Sequence, residues 1–213
     1  MADVPLDQRE REELCDLFLE LGPDAPTLCE GWTTADLAAH LVVRERDPRT
    51  MPGILKPAGR FGRYTEKLTA KKKAKGYENV VARIRKGPPL FPWRVKGVRN
   101  VLNLNEYVVH HEDVRRANGL APRTDRPELD AALWKLLRRG AKFSTRAVKG
   151  AGLVLRRPSG DEIVARKGEP TAVLTGEPVD LLLYLLGRRS AAQVELTGPT
   201  EAITAVQQAK LGI

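Results

Sequence analysis

The sequence predicts an α+β protein, with a helical bundle over residues 1–150 and a small mixed α/β domain over residues 151–213. Two observations support this division. Up to residue 147 the apolar residues recur every three or four positions, which is the period of an amphipathic helix. After Gly150 and Gly152, short apolar runs alternate with turn residues, which is typical of strands. The glycine pair therefore marks the predicted boundary between the two domains.

The first two helices are predicted from apolar spacing and from their end signals. The first covers residues 5–21, where leucines recur at helical spacing and a Gly-Pro pair follows. The second begins at Thr33, which with Asp36 resembles a capping box in which Asp replaces the usual Glu or Gln. It ends at Asp47, because the residue before Pro48 is disfavoured in helical geometry.

The helical period and the short apolar runs described above predict the remaining helices and strands. A loop rich in Pro and Gly is predicted over residues 48–63, and the two helices after it are short and strongly basic. The predicted helices are 64–75, 77–86, 95–117, 127–147, 178–186 and 200–211, and the predicted strands are 153–157, 162–166, 172–175 and 193–197.

Positive charge is concentrated in one segment. The chain carries +9, yet residues 56–100 hold 14 Lys or Arg against two acidic residues, a local excess of +12 that leaves −3 elsewhere. The segment is interpreted as a phosphate-binding surface, for nucleic acid or for an anionic small molecule, or as a solvated face. Nucleic acid is the less favoured partner. Single-strand-binding modules interleave aromatic and basic residues, whereas the aromatic residues here follow no recognisable motif.

The chain is expected to be cytoplasmic, without a membrane partner. No stretch approaches the roughly 20 apolar residues of a membrane span. The N-terminus is acidic and polar, where a secretory signal is basic and then apolar. Because cytosolic thiols stay reduced, Cys15 and Cys29 are expected to be small core residues rather than a disulfide. No Cys-x-x-Cys spacing favours metal binding by either cysteine.

The three histidines of the chain lie where a metal site would need them. Glu106 and His110 are four residues apart on the predicted helix 95–117, so they share one face with Cβ atoms roughly 5–6 Å apart. His40 lies on the apolar stripe of the second helix. The helices of a bundle can point such side chains inward. Two imidazoles and one carboxylate suit a divalent ion such as zinc and leave one coordination position open.

Other interpretations of the same spacing stay open. A histidine on an apolar stripe can be a core residue bonded to a neighbour, and Glu and His one turn apart form an ordinary side-chain pair. His111 points about 100° away from His110, so both can hardly bind one ion. Asp36 and Asp113 lie within one turn of His40 and His110, where each can orient an imidazole or remain a solvated charge.

Three segments together resemble a known family. Residues 31–41 (GWTTADLAAHL) are similar to the second-helix motif of the DinB-like metal-binding superfamily, most of all to the branch that contains mycothiol-dependent maleylpyruvate isomerase. Residues 106–113 (EYVVHHED) resemble that branch's second motif, in which the Glu and the first His bind metal. Residues 180–188 (DLLLYLLGR) are similar to its small-domain helix, which ends in Gly-Arg.

The resemblance implies a DinB-like four-helix bundle that binds zinc through His40, Glu106 and His110, followed by a small α/β domain. It also implies thiol chemistry, in which mycothiol or a similar low-molecular-weight thiol reaches the metal. Arg188 matches the arginine of the small domain that serves catalysis in the isomerase. By its spacing, one turn after His40, Arg44 is a candidate for lining the same pocket and binding the thiol cofactor.

The sequence therefore favours a metal-dependent thiol transferase or isomerase, in which a metal-bound thiolate attacks a small electrophile. Arg188 would hold a carboxylate of the substrate, although it can also be an ordinary charge at a helix C-terminus. Two further classes stay open: a metal-binding protein without catalysis, and a basic nucleic-acid-associated protein with structural histidines. Metal content separates the last class from the other two, and a thiol-conjugation assay separates the first from the second.

Overall fold

The computed structural model describes residues 4–47, 50, 60–88 and 103–212, with the side chains of residues 60 and 61 excepted. Within these residues the chain forms eight helices and four strands. The helices are α1 (Leu6–Leu21), α2 (Thr34–Arg46), α3 (Arg60–Lys73), α4 (Tyr77–Arg85), α5 (Leu104–Ala117), α6 (Pro127–Ser144), α7 (Pro178–Leu185) and α8 (Thr200–Gln208), and the strands are β1 (Gly152–Arg156), β2 (Glu162–Arg166), β3 (Thr171–Gly176) and β4 (Val194–Thr197). The chain divides into two compact units, Met1–Pro122 and Arg123–Ile213.

Local sequence explains where the helices begin and end. α2 follows Thr33, whose backbone N–H and hydroxyl both donate to the Asp36 carboxylate, at 3.1 and 2.9 Å. This carboxylate also faces the positive end of the helix dipole. α1 ends at Gly22, whose φ of 80° is a conformation that glycine adopts without strain. α6 begins with Pro127, which is favourable at the first helical position.

The core of the N-terminal unit is built by four helices, α1, α2, α4 and α5. Their apolar residues meet in one shared core, and α2 and α5 are buried over most of their length. Complete burial of one such side chain stabilises the fold by about 1.5–3 kcal/mol. The buried cluster consists of Leu14, Cys15, Leu17, Phe18, Leu37, Ala38, Leu41, Val42, Val80, Val81, Ile84, Tyr107 and Val114. The helical bundle that the sequence predicts is therefore present, and α3 packs on α2.

One buried cation connects all four core helices. Arg11 of α1 donates to both carboxylate oxygens of Glu45 in α2, at 2.8 and 2.6 Å, and to the carbonyl oxygen of Ile84 in α4, at 2.9 Å. Its guanidinium carbon lies 4.4 Å from the ring centroid of Tyr107 in α5. The Tyr107 hydroxyl in turn donates to Glu45 at 2.7 Å. These buried polar groups therefore satisfy one another.

The C-terminal unit contains a four-stranded sheet in the order β2-β1-β3-β4. β1 pairs antiparallel with β2 and parallel with β3, and β3 pairs antiparallel with β4. Leu155 lies opposite both Ile163 and Leu174, so one face of the sheet carries an apolar row. α6 packs on α7 and on β2. The sheet with α7 and α8 corresponds to the small α/β region that the sequence predicts, and in the structure α6 packs with it.

The structure and the sequence prediction differ at several element boundaries. α3 begins at Arg60, within the predicted loop 48–63, most of which lies outside the described residues. The beginning of the predicted helix 95–117 also lies outside them. The contacts divide the chain after Pro122 rather than after residue 150, because the buried leucines of α6 face α7 and β2. Among the described residues, no helix combines the length and the apolarity needed to span a bilayer.

Candidate metal centre

The structure brings His40 of α2 together with Glu106 and His110 of α5. His40 Nε2 lies 3.4 Å from Glu106 Oε1, and His110 Nε2 lies 3.2 Å from the same oxygen. The two imidazole ring centroids are 5.5 Å apart. One ligand atom from each of the three residues lies within 4.8 Å of the other two. The side chains that the sequence selects as metal ligands therefore converge on one point.

The donor set and its spacing fit a divalent ion. A tetrahedron with metal–ligand bonds of about 2.0–2.1 Å has edges of roughly 3.3 Å, which is close to the two nitrogen–oxygen distances given above. Two imidazole nitrogens and one carboxylate oxygen suit zinc and several other transition metals. Three protein ligands would leave one position for a water molecule or a substrate atom.

Arg44 pairs with the second oxygen of the Glu106 carboxylate. Its side chain is buried, and its Nε lies 3.1 Å from Glu106 Oε2. Because Oε2 is held by the guanidinium, Oε1 is the oxygen that faces the two imidazoles. Arg44 therefore contacts a candidate metal ligand in the structure. Its role in binding a thiol cofactor, which the sequence analysis assigns to it, stays a prediction.

Burial and hydrogen bonding act in opposite directions on the pKa values of this cluster. Burial lowers the pKa of His40, although Glu106 partly offsets the effect. Burial alone would raise the pKa of Glu106, but hydrogen bonds with His110 and His40 hold it well below its usual range. Burial alone would lower the pKa of His110, but contacts with Asp113, Cys29 and Glu106 hold it well above its usual range. The surroundings therefore favour the carboxylate form of Glu106, the neutral form of His40 and the imidazolium form of His110.

Asp113 and Cys29 lie on the far edge of the His110 ring. Asp113 Oδ2 is 2.9 Å from His110 Nδ1, the nitrogen that does not face Glu106. The Cys29 thiol donates to the same carboxylate oxygen at 3.3 Å. Asp113 thus occupies the position of a residue that orients a metal-binding imidazole. Asp36 does not, because its carboxylate caps α2 and accepts a hydrogen bond from Lys73 at 2.7 Å.

Sequence reasoning misses two residues at this centre. It assigns Cys29 to the core, whereas the side chain is only partly buried and contacts Asp113. It gives no role to Trp32, whose ring centroid lies 5.0 Å from that of His40. Both residues belong to the segment between α1 and α2, which has no periodic pattern from which a contact with α5 could be predicted. The prediction for Cys15 agrees with its complete burial in the core.

His111 faces away from the cluster. Its Nδ1 lies 3.1 Å from Glu10 Oε2 in α1, and both side chains are buried. Adjacent residues of a helix point about 100° apart, so the two histidines of α5 reach different neighbours. Glu13 lies close to this pair, and one atom from each of the three residues lies within 4.8 Å of the other two.

Arg188 lies in the C-terminal unit, three residues after the end of α7. Its Nη1 donates to the carbonyl oxygen of Leu186 at 2.8 Å, and its side chain is partly buried. Gly187 precedes it with a φ of 88°, a conformation that favours glycine. The catalytic role that the resemblance implies for Arg188 stays a prediction.

Part of the basic segment 56–100 forms α3 and α4, which expose several lysines and arginines. Two of these cations have acidic partners near the surface. Lys73 pairs with Asp36, and Arg85 pairs with Glu12 and Asp16 of α1. Burial lowers the pKa of Lys72, and the like charges of its basic neighbours lower it further. The described part of the segment therefore fits the solvated-face interpretation, as well as an anion-binding surface.

Known proteins resemble the chain in sequence and in fold. Residues 8–90 match the family model described as the mycothiol maleylpyruvate isomerase N-terminal domain. This match contains His40 and Arg44, whereas Glu106 and His110 follow its end. The comparison with curated protein sequences gives no significant match.

Two crystal structures are similar in fold, at 19% sequence identity and with 93% of this chain and 95% of each neighbour covered. One is a histidine-to-alanine mutant of the mycothiol-dependent maleylpyruvate isomerase, with a TM-score of 0.57, and the other is the mycothiol-dependent maleylpyruvate isomerase, with a TM-score of 0.54. The resemblance predicted from the sequence is thus confirmed: the N-terminal region matches the mycothiol maleylpyruvate isomerase family, and the chain has an α+β fold similar to that of the isomerase.

Proposed function

We propose that this protein is a metal-dependent thiol transferase or isomerase that uses mycothiol or a similar low-molecular-weight thiol. His40, Glu106 and His110 would hold a divalent ion, with zinc favoured. The observation that carries the proposal is the convergence of two imidazole nitrogens on one carboxylate oxygen, at 3.4 and 3.2 Å. The match of residues 8–90 to the mycothiol maleylpyruvate isomerase N-terminal domain supports the choice of thiol.

The chain's own residues would position the centre in distinct ways. A bound divalent ion would supply stabilisation of a thiolate at its open coordination position. Arg44 holds Glu106 so that Oε1 faces the imidazoles. Asp113 accepts the Nδ1–H of His110 and leaves Nε2 for the ion. Trp32 packs beside the His40 ring and would shield that ligand from water. A cytoplasmic location, where low-molecular-weight thiols stay reduced, fits this chemistry.

We propose for Arg188 the role of holding a carboxylate of a small electrophilic substrate, since guanidinium and carboxylate groups form paired hydrogen bonds. The test is to compare the steady-state kinetics of Arg188→Ala with those of Arg138→Ala, a variant of an exposed arginine on α6. We expect a reduced kcat/KM only for Arg188→Ala. Equal activities of the two variants would remove Arg188 from the proposal.

The proposed transferase activity is tested by measuring the consumption of mycothiol with a panel of small electrophiles. The proposed isomerase activity is tested by following the isomerisation of maleylpyruvate in the presence of mycothiol. We expect turnover by the zinc-loaded protein, loss of turnover after chelation, and recovery when zinc is returned. His40→Ala should show none of these responses. Zinc binding without turnover of any electrophile would favour the alternative of a metal-binding protein without catalysis. Turnover that survives chelation and the His40→Ala substitution would contradict the proposed chemistry.

A further inference from the structure

Cys29 is held in place from both sides. Its backbone N–H donates to the Thr27 hydroxyl at 3.2 Å, and its carbonyl oxygen accepts from the backbone N–H of Trp32 at 2.9 Å. Its neighbour Leu28 donates a backbone hydrogen bond to the carbonyl oxygen of Asp113 at 3.1 Å. The segment between α1 and α2 is thereby tied to α5, and the Cys29 thiol is presented to the Asp113 side chain.

The Asp113 carboxylate is completely buried and is shared between two donors. Its Oδ2 atom lies 2.9 Å from His110 Nδ1 and accepts from the Cys29 thiol at 3.3 Å. A buried carboxylate is costly unless its oxygens are hydrogen-bonded. The Cys29 thiol and His110 therefore both help to fix where this carboxylate lies.

Cys29 lies apart from the ligand atoms of the His40–Glu106–His110 set, and with His110 and Asp113 it forms a second group whose possible ligand atoms lie within 4.8 Å of one another. His110 presents Nε2 to Glu106 and Nδ1 to Asp113, and the Cys29 sulfur lies 4.0 Å from Nδ1. The two ring nitrogens lie on different edges of the imidazole, and the hydrogen bond at one nitrogen sets the orientation and tautomer with which the other binds a metal. Cys29 thus contacts the side of His110 that faces away from His40 and Glu106.

We propose that Cys29 is a positioning residue of the metal centre. Its thiol holds the Asp113 carboxylate, which fixes the ring of His110 so that Nε2 points at His40 and Glu106. The inference rests on the proposed function, because it assigns Cys29 a role at the same centre. Cys29 lies outside the two helices that carry the histidines, and the proposed role of its thiol differs from metal ligation and from nucleophilic attack.

The test uses four variants of the full chain. Cys29→Ala removes the thiol donor, Cys29→Val removes it while retaining side-chain volume, and Cys29→Ser retains a donor. Cys15→Ala is the matched control, because Cys15 is buried in the same unit but donates to the carbonyl oxygen of Val81, at 3.8 Å. Zinc affinity is measured by competition with a chromophoric chelator. Exchange of the His110 Nδ1–H proton is followed by NMR in metal-free protein.

We expect Cys29→Ala and Cys29→Val to weaken zinc binding, up to the about 10–100-fold loss typical when a residue that orients a ligand is changed. Cys29→Ser should restore most of the affinity. The His110 Nδ1–H proton should exchange slowly in the unmodified protein and the Ser variant, and faster in the Ala and Val variants. Cys15→Ala should lower thermal stability and leave both readouts unchanged.

Unchanged zinc affinity and unchanged proton exchange in Cys29→Val would overturn the proposal, and this holds even if Cys29→Ala does not fold. A Ser variant as weak as the Val variant would also overturn it, because the sulfur would then act by packing and not by donating. If the unmodified protein binds no zinc, the proposed function fails, whereas the exchange measurement still decides whether Cys29 positions His110.

Discussion

The two adjacent histidines of α5 have different surroundings, and the difference decides what each can do. His110 lies between Glu106 and Asp113, with its Nε2 atom in the candidate metal centre. His111 is buried against Glu10 of α1. Both imidazoles are buried beside a carboxylate, so the loss of either costs a buried hydrogen bond, and only His110 lies in the candidate metal centre.

We predict different effects on zinc binding for substitutions of these two neighbours. His110→Ala should abolish zinc binding and leave a folded protein, because the core helices bury their own apolar faces. His111→Ala should retain zinc and lower the free energy of unfolding of the metal-free protein by about 1–3 kcal/mol, since Glu10 loses a buried partner. Zinc titration and urea unfolding of both variants check this. Loss of zinc binding in the His111 variant would contradict the assignment.

Zinc binding should weaken as the pH falls from about 8 to about 6, because metal-binding imidazoles and carboxylates must be deprotonated. The raised pKa of His110 adds to this effect, since its imidazolium must release a proton before Nε2 can bind the ion. His40, whose pKa is lowered, is already neutral. Calorimetric zinc titrations in buffers of different ionisation enthalpy measure the protons released. An affinity that is constant over this range would contradict the ligand set.

For single residues, the sequence predicts contacts within one helix and misses contacts between segments that are distant in the chain. The four-residue spacing of Glu106 and His110 predicts that they share a face, as they do. Their meeting with His40 is one of several interpretations that the residues leave open, because spacing does not tell which helices are neighbours, and the family resemblance favours it. The contact of Cys29 with Asp113 joins residues far apart in the chain, one of them outside any periodic element, so no local pattern predicts it.

At the scale of elements, the helices that carry the candidate ligands are connected by a second, buried polar group. Arg11, Glu45 and Tyr107 link α1, α2 and α5, and Arg11 also reaches α4. Burial alone would lower the pKa of Arg11, but the Glu45 carboxylate and Tyr107 raise it above its usual value. The guanidinium therefore stays charged, and it compensates Glu45 inside the bundle.

Arg11→Met should lower the free energy of unfolding by about 3–5 kcal/mol, because it leaves the Glu45 carboxylate buried without its charge partner. The matched control is Arg85→Met. Arg85 joins α4 to Glu12 and Asp16 of α1 near the surface, where such pairs contribute about 0–1 kcal/mol. Urea unfolding of metal-free protein measures both variants. Similar losses for the two arginines would contradict the importance given to the buried pair.

The capping carboxylate of α2 gives a pH-dependent prediction. Burial would raise the pKa of Asp36, but bonds with Lys73 and Thr33 lower it. A lowered pKa means that the ionised form stabilises the fold above about pH 4 and that this contribution is lost as the pH falls through the folded-state pKa. Asp36→Asn should therefore be less stable than the unmodified protein at neutral pH, and the difference should shrink in acid. Denaturant unfolding at several pH values tests this, and a constant difference would contradict it.

The sequence largely predicts whether a segment is a helix or a strand, but it does not predict in which of the two units a helix packs. Gly22, and Thr33 with Asp36, mark helix ends that agree with the structure. The sequence groups α6 with the N-terminal bundle, because its apolar period resembles that of the bundle helices. In the structure Leu133 and Leu137 are buried and the helix packs on α7 and β2. Periodicity reports that a helix has an apolar face and not which surface covers it.

At the scale of the whole molecule, the chain combines two separately packed units with an uneven charge distribution. The N-terminal unit contains the candidate metal centre, and its basic segment holds a local excess of +12. Exposed cations on α3 and α4 would attract anionic molecules at low ionic strength, and salt would screen this attraction within about 10 Å at 0.1 M. The candidate metal centre, whose two histidines are buried, should respond much less to salt.

The central claim is that His40, Glu106 and His110 bind one divalent ion, and metal content tests it most directly. The protein is loaded with zinc, freed of unbound metal by desalting, and analysed beside His40→Ala treated in the same way. We predict one zinc per chain in the unmodified protein and none in the variant, since two remaining ligands cannot complete a stable site. One zinc retained by His40→Ala, or none bound by the unmodified protein, would contradict the claim.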